Sequence, residues 1–448
     1  MTDWNRRQWI ATAAGITGLA GIEDMALAFD ANAYGQNRSG NPKAARPRSK
    51  MKISKFKATV VASPDAALLN SWNVHDTHFK RTILELETDD GLKGIAEIGA
   101  GGAQDYGSVK DAVPGGSLAS SRDIVLGRDP FEIEYFRRQI RNPNAFGAVE
   151  VACLDIIGKA INRRVVDLIG GAYREAQQFS AYIFFVMPTP NGPDYSTPES
   201  VARQFQEFNK KYGFTSCKFK GGVLHPDKEV EALRMMRAAM PNAKLRIDPN
   251  AAWSVETSVR VAKAIEPLNM EYYEDPTPGL DGMAAVRRQT KIPLATNMVV
   301  TKMEHIVPAI QKGSVDVVLL DNHYMGGLNN VRYWAAICEA MGWGCSGHSN
   351  NHLGISMAMM THMNCAISRV EYDADSHYPW TTEDIIKGPM LQFKDGKMAL
   401  PDAAGLGVEI DPDKMAKLVE NVKRFSNRHE QLKKWDPTYP LNDHRIRW

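Results

Sequence analysis

Ser216-Cys217-Lys218-Phe219-Lys220, Lys244-Leu245-Arg246-Ile247-Asp248 and Met270-Glu271-Tyr272-Tyr273-Glu274-Asp275 are short apolar runs that each end in residues able to do acid–base or ligand chemistry. Between them lie stretches with helical spacing, and the unit recurs about every 25 to 30 residues, the rhythm of strand–helix units around a parallel sheet. Working outward gives eight such runs, at 179–186, 216–220, 244–248, 270–275, 293–297, 315–321, 342–348 and 369–377. Eight successive units over roughly 200 residues predict an α/β fold, a (β/α)8 barrel. In such a barrel the carboxyl ends of all strands open onto one face. Here those ends present Tyr182, Lys218 and Lys220, Asp248 and Asn250, Glu274 and Asp275, Asn297, Asp321, His348 and His377. Residues far apart in the chain are expected to share one pocket.

Upstream of the barrel, 52–61 and 81–98 partly alternate around the polar turn Asp89-Asp90-Gly91, as antiparallel strands do, and 149–158 carries helical spacing. An α+β unit over 51–175 is therefore expected before a barrel over 176–390. At the N-terminus, Asn5-Arg6-Arg7-Gln8-Trp9-Ile10, a mildly apolar run and Ala26-Leu27-Ala28 come in the order of a twin-arginine export signal. This predicts a leader over 1–28, a Gly-, Pro- and Asn-containing linker over 29–50, and a periplasmic protein; an amphipathic helix with a chance arginine pair would leave it cytoplasmic. The apolar run falls short of the ~20 residues of a membrane-spanning helix, so no stable membrane anchor is expected.

With 54 Lys and Arg against 52 Asp and Glu, the net charge of +2 gives no electrostatic reason to bind nucleic acid, and a small-molecule function becomes the default. The five cysteines are odd in number and contain no CxxC pair, which argues against a disulfide framework and a thiolate zinc site.

Asp248, Glu274 and Asn297 offer oxygen ligands from three successive strand ends, a hard donor set that suits Mg2+ better than zinc. Each alone could equally cap the following helix. Lys218 and Lys220 share one side of a strand by its two-residue period, here the barrel interior, unless Phe219 is the buried side. A lysine that removes a proton must spend time neutral, a shift from about 10.4 to ~7 or 8 that corresponds to roughly 4 kcal/mol. A neighbouring ammonium and a divalent cation both favour the neutral form, so Lys218 is expected to tune Lys220 while binding a substrate carboxylate. Asp321, one strand before His348, can accept from one imidazole nitrogen and leave the other for proton transfer. No nucleophile elbow surrounds Ser349, and no Walker or GxGxxG loop appears. A metal, a lysine and a histidine together fit removal of a proton alpha to a carboxylate.

The Lys218-Phe219-Lys220 pair, Asp248-Pro249-Asn250-Ala251-Ala252-Trp253, Glu274-Asp275-Pro276, Ala295-Thr296-Asn297-Met298 and Gly347-His348-Ser349-Asn350-Asn351-His352 resemble the enolase superfamily, specifically its glucarate dehydratase subgroup. The resemblance runs from about residue 52 to about residue 428. It implies a capping α+β domain built from 51–175 and completed by 391–448, with Mg2+ held by Asp248, Glu274 and Asn297. It further implies that Lys220 and His348 face the substrate from opposite sides, either taking the alpha proton according to configuration, with His348 acting as acid on the departing beta hydroxyl. Asn70, His75, Tyr182, His377 and Arg428 then match substrate-binding positions, beside Lys218 and Asn250. The chain departs from the family pattern at Asn142-Pro143-Asn144-Ala145, which lacks a Thr-rich continuation, at Asn322-His323-Tyr324-Met325-Gly326-Gly327 after Asp321, and in its export signal. The first two bear on which sugar acid fits.

The function expected is an Mg2+-dependent dehydratase of a hexarate such as glucarate, in a homo-oligomer with no partner beyond its small-molecule substrate. A racemase or epimerase begins with the same enediolate, and an exported sugar-acid binding protein without turnover is the alternative of another class.

Overall fold

The structure is a computed structural model that describes residues 51–98, 117–437 and 448. The expected leader (1–28) and linker (29–50) lie outside the described residues. Residues from Met51 onward form one compact unit.

Three antiparallel strands open it: β1 (Ile53–Pro64), β2 (His78–Thr88) and β3 (Lys93–Ile98), in the order β1-β2-β3. The turn between β2 and β3 is made by Gly91 at φ +89°, a conformation glycine adopts without steric cost. Against this sheet packs the long helix Pro143–Ile161. It starts where Asn142 Oδ1 accepts the Ala145 N–H (3.0 Å) with Pro143 in the first turn, and stops at Asn162 in the left-handed region. Its residues from Ala145 to Gly158 are buried, so both faces are covered. A Cβ on Gly94 of β3 would lie 2.0 Å from the Ala152 carbonyl oxygen, so the close approach of sheet and helix requires glycine there.

The barrel follows as eight parallel strands: β4 (Ala176–Phe184), β5 (Ser216–Lys220), β6 (Lys244–Asp248), β7 (Met270–Glu274), β8 (Leu294–Thr296), β9 (Val317–Leu320), β10 (Gly344–Gly347) and β11 (Ala374–Asp375). Seven of the eight expected runs contain one of these strands, and the first, 179–186, overlaps β4 up to Phe184. β11 is two residues long and pairs with β4, while a bridge between Cys345 and Val370 brings the last segment to β10, so the ring is nearly closed. Register carries the pocket: Tyr182 pairs Lys218, Lys218 pairs Arg246, and Lys220 pairs Asp248. With side chains alternating, Tyr182, Lys218, Lys220, Asp248 and Glu274 fall on the inner side, and Phe219, Ile247 and Tyr273 join the core under the helices. Deeper in the barrel Tyr272, Ala295, Val317 and Leu319 form a separate apolar cluster, and Arg246 is pinned by Glu271 (2.6 Å) and the Asp373 carbonyl (2.6 Å).

The segment from 391 divides between the two parts. Strand β12 (Lys397–Ala399) pairs antiparallel with β4 of the barrel, whereas helix Pro412–Asn421 packs on β1. No helix among the described residues is long and apolar enough to cross a membrane, and all five cysteines are free and buried.

Candidate active site

A cavity of about 1250 Å³ opens at the carboxyl ends of the barrel strands, between them and the loop joining β1 to β2. Asn70, His75, Tyr182, Lys220, Asn250, Asn297, His348 and His377 all line it, so residues from both ends of the chain converge as the strand-end argument requires.

Beneath the cavity lies a buried charge network. Lys218 is fully buried and donates to Glu274 Oε1 (2.7 Å) and Asp375 Oδ2 (3.1 Å), with Asp248 Oδ2 at 3.6 Å. Lys220 donates to Asp248 Oδ2 (2.5 Å) and Asn250 Oδ1 (3.1 Å). Asp248 Oδ1 in turn accepts the Asn250 N–H (2.8 Å) across a turn in which Asn250 and Ala251 both take positive φ. Two consecutive non-glycine residues in that region are strained, and such strain collects at functional sites. Lys218 does not reach the cavity: its head is enclosed by carboxylates, so it braces them rather than presenting a charge to a substrate.

Charge balance shows what this arrangement can hold. Asp248, Glu274 and Asp375 stand against two lysines, with Asp275 beside them on Thr296 Oγ1 (2.6 Å) and the Asn297 N–H (2.8 Å). Burial and the Asp248 charge push Asp275 up to about 7. Glu274 Oε2, Asp375 Oδ1 and Asn297 Oδ1 are buried without a hydrogen-bond partner. Unpaired buried acceptors next to surplus negative charge are costly unless a cation or donor meets them. Among the described residues no three His, Cys, Asp or Glu groups form a ready metal cage. Two carboxylates, Asp248 and Glu274, with the Asn297 amide oxygen are what the site offers a hard cation, and oxygen donors of that kind fit one.

The expected lowering of the Lys220 pKa is not what this geometry gives. Burial, the largest influence, lowers it, as does the Lys218 ammonium, but Asp248, Tyr182 and Glu274 together outweigh them and the net direction is upward. Lys218 rises likewise, because burial is overcome by Asp375 and Glu274. The sign follows from distance to the nearest carboxylate, which sequence spacing does not encode.

On the other side of the pocket, His348 Nδ1 lies 2.8 Å from Asp321 Oδ2, and Asn297 Nδ2 lies 2.8 Å from His348 Nε2. A carboxylate only accepts, so Nδ1 carries the proton. The Asn297 amide then donates to an unprotonated Nε2, which leaves its oxygen free. Asp321 is shared: its Oδ1 accepts from the His323 N–H (2.8 Å) and lies 3.1 Å from His323 Nδ1. Burial would raise the Asp321 carboxyl, but bonds from His323 and His348 hold it well below the usual carboxylate range. Tyr324 lies over His348 at 5.4 Å between ring centroids, and its hydroxyl accepts from Asn350 Nδ2 (2.7 Å).

The remaining expected contacts divide by geometry. Tyr182, buried under the Lys218 and Lys220 ammonium groups and pushed up to about 12 by burial, stacks edge-on to His377 at 4.6 Å. His377 is held neutral, its pKa lowered by burial, and lies 5.7 Å from His75 with the rings near parallel. Asn70 Oδ1 is engaged by the Trp72 and Asn73 N–H groups (2.8 and 3.0 Å). Arg428 differs from its expected role: its guanidinium donates to the carbonyls of His75, Asp76 and Asp65 (2.9 Å each) and is not part of the cavity wall. It holds the loop that carries His75 from behind. Asp375 and His323 were not singled out from sequence. For Asp375 the signal was present, because it is the polar residue that ends β11, with His377 two residues past the strand.

Two family models match the chain: the mandelate racemase / muconate lactonizing enzyme N-terminal domain over residues 65–170, and the enolase C-terminal domain-like model over residues 200–414. A probable glucarate dehydratase of Streptomyces coelicolor is 38% identical over 410 residues, covering 81% of this chain and 90% of the relative. An enolase of Mycobacterium smegmatis complexed with tartrate is 38% identical, with TM-score 0.81 over 90% of this chain and 100% of the other. An enolase of Pseudomonas fluorescens with bound magnesium, potassium and tartrate is 34% identical, with TM-score 0.80 over 89% and 99%.

Proposed function

The chain belongs to the enolase superfamily, and from that premise we propose that it is an Mg2+-dependent sugar-acid dehydratase acting on a hexarate such as glucarate. The observation that carries the reading is the convergence of two proton-transfer groups of different chemistry, Lys220 and the Asp321–His348 pair, on one cavity whose floor is an anionic oxygen cluster. The solved relative that holds magnesium and tartrate, a hydroxy dicarboxylate, supports both the cation and the substrate class.

Asp248, Glu274 and Asn297 would hold Mg2+, which would supply positive charge to a substrate carboxylate that gains electron density as its alpha proton leaves. The chain does the rest. His348 stands in base form, with Nδ1–H fixed by Asp321 and Nε2 unprotonated. It accepts the alpha proton when that proton faces β10; Lys220 accepts it from the β5 side once its own proton has been given up. When His348 has taken the alpha proton, the resulting enediolate expels the beta hydroxyl, which takes that proton back from the imidazolium and departs as water; when Lys220 has taken it, the departing hydroxyl needs a His348 that has first gained a proton from solvent at Nε2. The enol left behind tautomerises to a keto-deoxy acid. General acid assistance of this kind is typically worth ~10²- to 10⁴-fold.

The test is to incubate purified protein and Mg2+ with a panel of aldonates and aldarates and to measure 2-keto acid. A keto-deoxy product from a hexarate is expected. An epimer with no keto acid would replace dehydration by racemase-type chemistry, and tight binding without turnover would make the protein a binding protein.

A further inference from the structure

We propose that Asp65 is a positioning residue for substrate recognition, joining the cap to the barrel through one carboxylate oxygen. Asp65 Oδ2 lies 2.9 Å from His75 Nδ1 and accepts Asn351 Nδ2 at 2.9 Å. His75 belongs to the loop between β1 and β2. Asn351 lies three residues beyond His348 on the barrel. The Asp65 side chain is only 3% exposed yet borders the cavity.

Its main chain is fixed as well. The Asp65 N–H donates to the Thr77 carbonyl (2.9 Å) and the Asp65 carbonyl accepts from Arg428 Nη2 (2.9 Å), so the carboxylate cannot drift without breaking the loop closure. An ionised carboxylate accepts and cannot donate, so the His75 proton must sit on Nδ1. Nε2 of His75 has no hydrogen-bond partner among the described residues, and His75 lines the cavity stacked on His377. In the neutral ring Nε2 is an acceptor suited to a substrate hydroxyl; in the charged ring it is a donor suited to a carboxylate. Either way Asp65 decides how the ring is presented, and the same oxygen registers that ring against the loop that follows His348. Asp65 thus acts through His75 and touches no reacting atom.

The inference rests on the reading of the cavity as a sugar-acid site, and its test separates the two. With glucarate as substrate, Asp65→Ala should raise KM at least tenfold while kcat changes less than threefold. In a cycle with His75→Gln, the double variant should fall within threefold of the worse single variant; multiplication of the two effects would overturn the proposal. Side-chain ¹⁵N spectra of histidine-labelled protein, with His75 assigned by its loss in His75→Gln, give a readout that needs no substrate. Wild type should show His75 protonated at Nδ1, and Asp65→Ala should shift it toward a mixture. An unchanged His75 signal would overturn the proposal even if activity falls. Absence of any sugar-acid turnover by wild type would sink the function and leave the ring measurement standing. Should Asp65→Ala fail to fold, as judged by its melting curve, Asp65→Asn replaces it in both measurements.

Discussion

Replacing Asp321 by Asn tests the proton path with almost no change of shape. In the wild type both carboxylate oxygens only accept: Oδ2 meets His348 Nδ1 at 2.8 Å, and Oδ1 takes the His323 N–H at 2.8 Å with its ring Nδ1 at 3.1 Å. An amide has one oxygen. If its NH2 faces His348, the imidazole must move its proton to Nε2, which then opposes the Asn297 NH2 group 2.8 Å away. If the NH2 faces His323 instead, two donors confront it and the loop that opens helix Leu328–Met341 is pushed. The lost charge-assisted hydrogen bond is worth about 1.5 to 3 kcal/mol. With the misplaced proton added, about 3 to 4 kcal/mol, or ~10²- to 10³-fold in kcat/KM, is expected. The assay is keto-acid formation and alpha-proton exchange in deuterium oxide, measured beside the melting temperature and metal content, both of which should stay near wild type. A kcat/KM within threefold of wild type in a folded variant would show that Asp321 does not set the state of His348.

Further outcomes follow from the same geometry. His348→Asn should abolish dehydration of every substrate, whereas Lys220→Ala should retain slow solvent-deuterium exchange for the substrate whose proton faces His348; keto-acid and exchange assays run side by side distinguish them. Chelation should abolish turnover and Mg2+ restore it, and full activity in protein shown metal-free by elemental analysis would count against Asp248, Glu274 and Asn297 as ligands. Glu150, buried where it accepts from the N-terminus of helix Leu328–Met341, is pushed up to about 7 by burial. Because this exceeds the unfolded value of about 4.3, the native state holds the extra proton between the two, and stability should fall as pH rises from ~4.3 to ~7, by up to about 4 kcal/mol. Glu150→Gln should flatten that slope in melting curves between pH 5 and 8, and parallel curves would refute it. Arg6→Lys with Arg7→Lys should leave an uncleaved precursor in the cytoplasm, and equal yields of processed periplasmic protein would remove the export reading.

The barrel was legible because each strand announces itself twice, by an apolar run and by the polar residue that ends it. That double signal located Lys220, Asp248, Glu274, Asn297, Asp321 and His348 before any contact was known. It is weaker in the eighth run, where the strand itself ends at Asp375 and the run's polar terminus, His377, lies two residues beyond it. Contacts made by loops carry no period at all. Nothing local in Asp65 or Arg428 says that they meet across 363 positions, nor that the arginine spends its donors on carbonyls. The charge environment of Lys220 is hard to read from sequence for a related reason. Spacing identifies a neighbouring lysine, but whether that lysine or a carboxylate dominates is settled by distances of a few ångströms.

Strand β4 finds β5 next to it in sequence, but its other partners, β11 and β12, are made about 200 residues later. On a ribosome adding ~5 to 20 residues per second, β4 therefore waits roughly 10 to 40 seconds with an open edge. Exposed strand edges recruit whatever other strand is at hand, which makes this interval the period in which a nascent chain is open to mispairing and to chaperone capture. Lys218 likewise has no Asp375 to meet until the same moment. The synthesis of β11 and β12, and not the assembly of the early strands, sets when the first competent molecule exists.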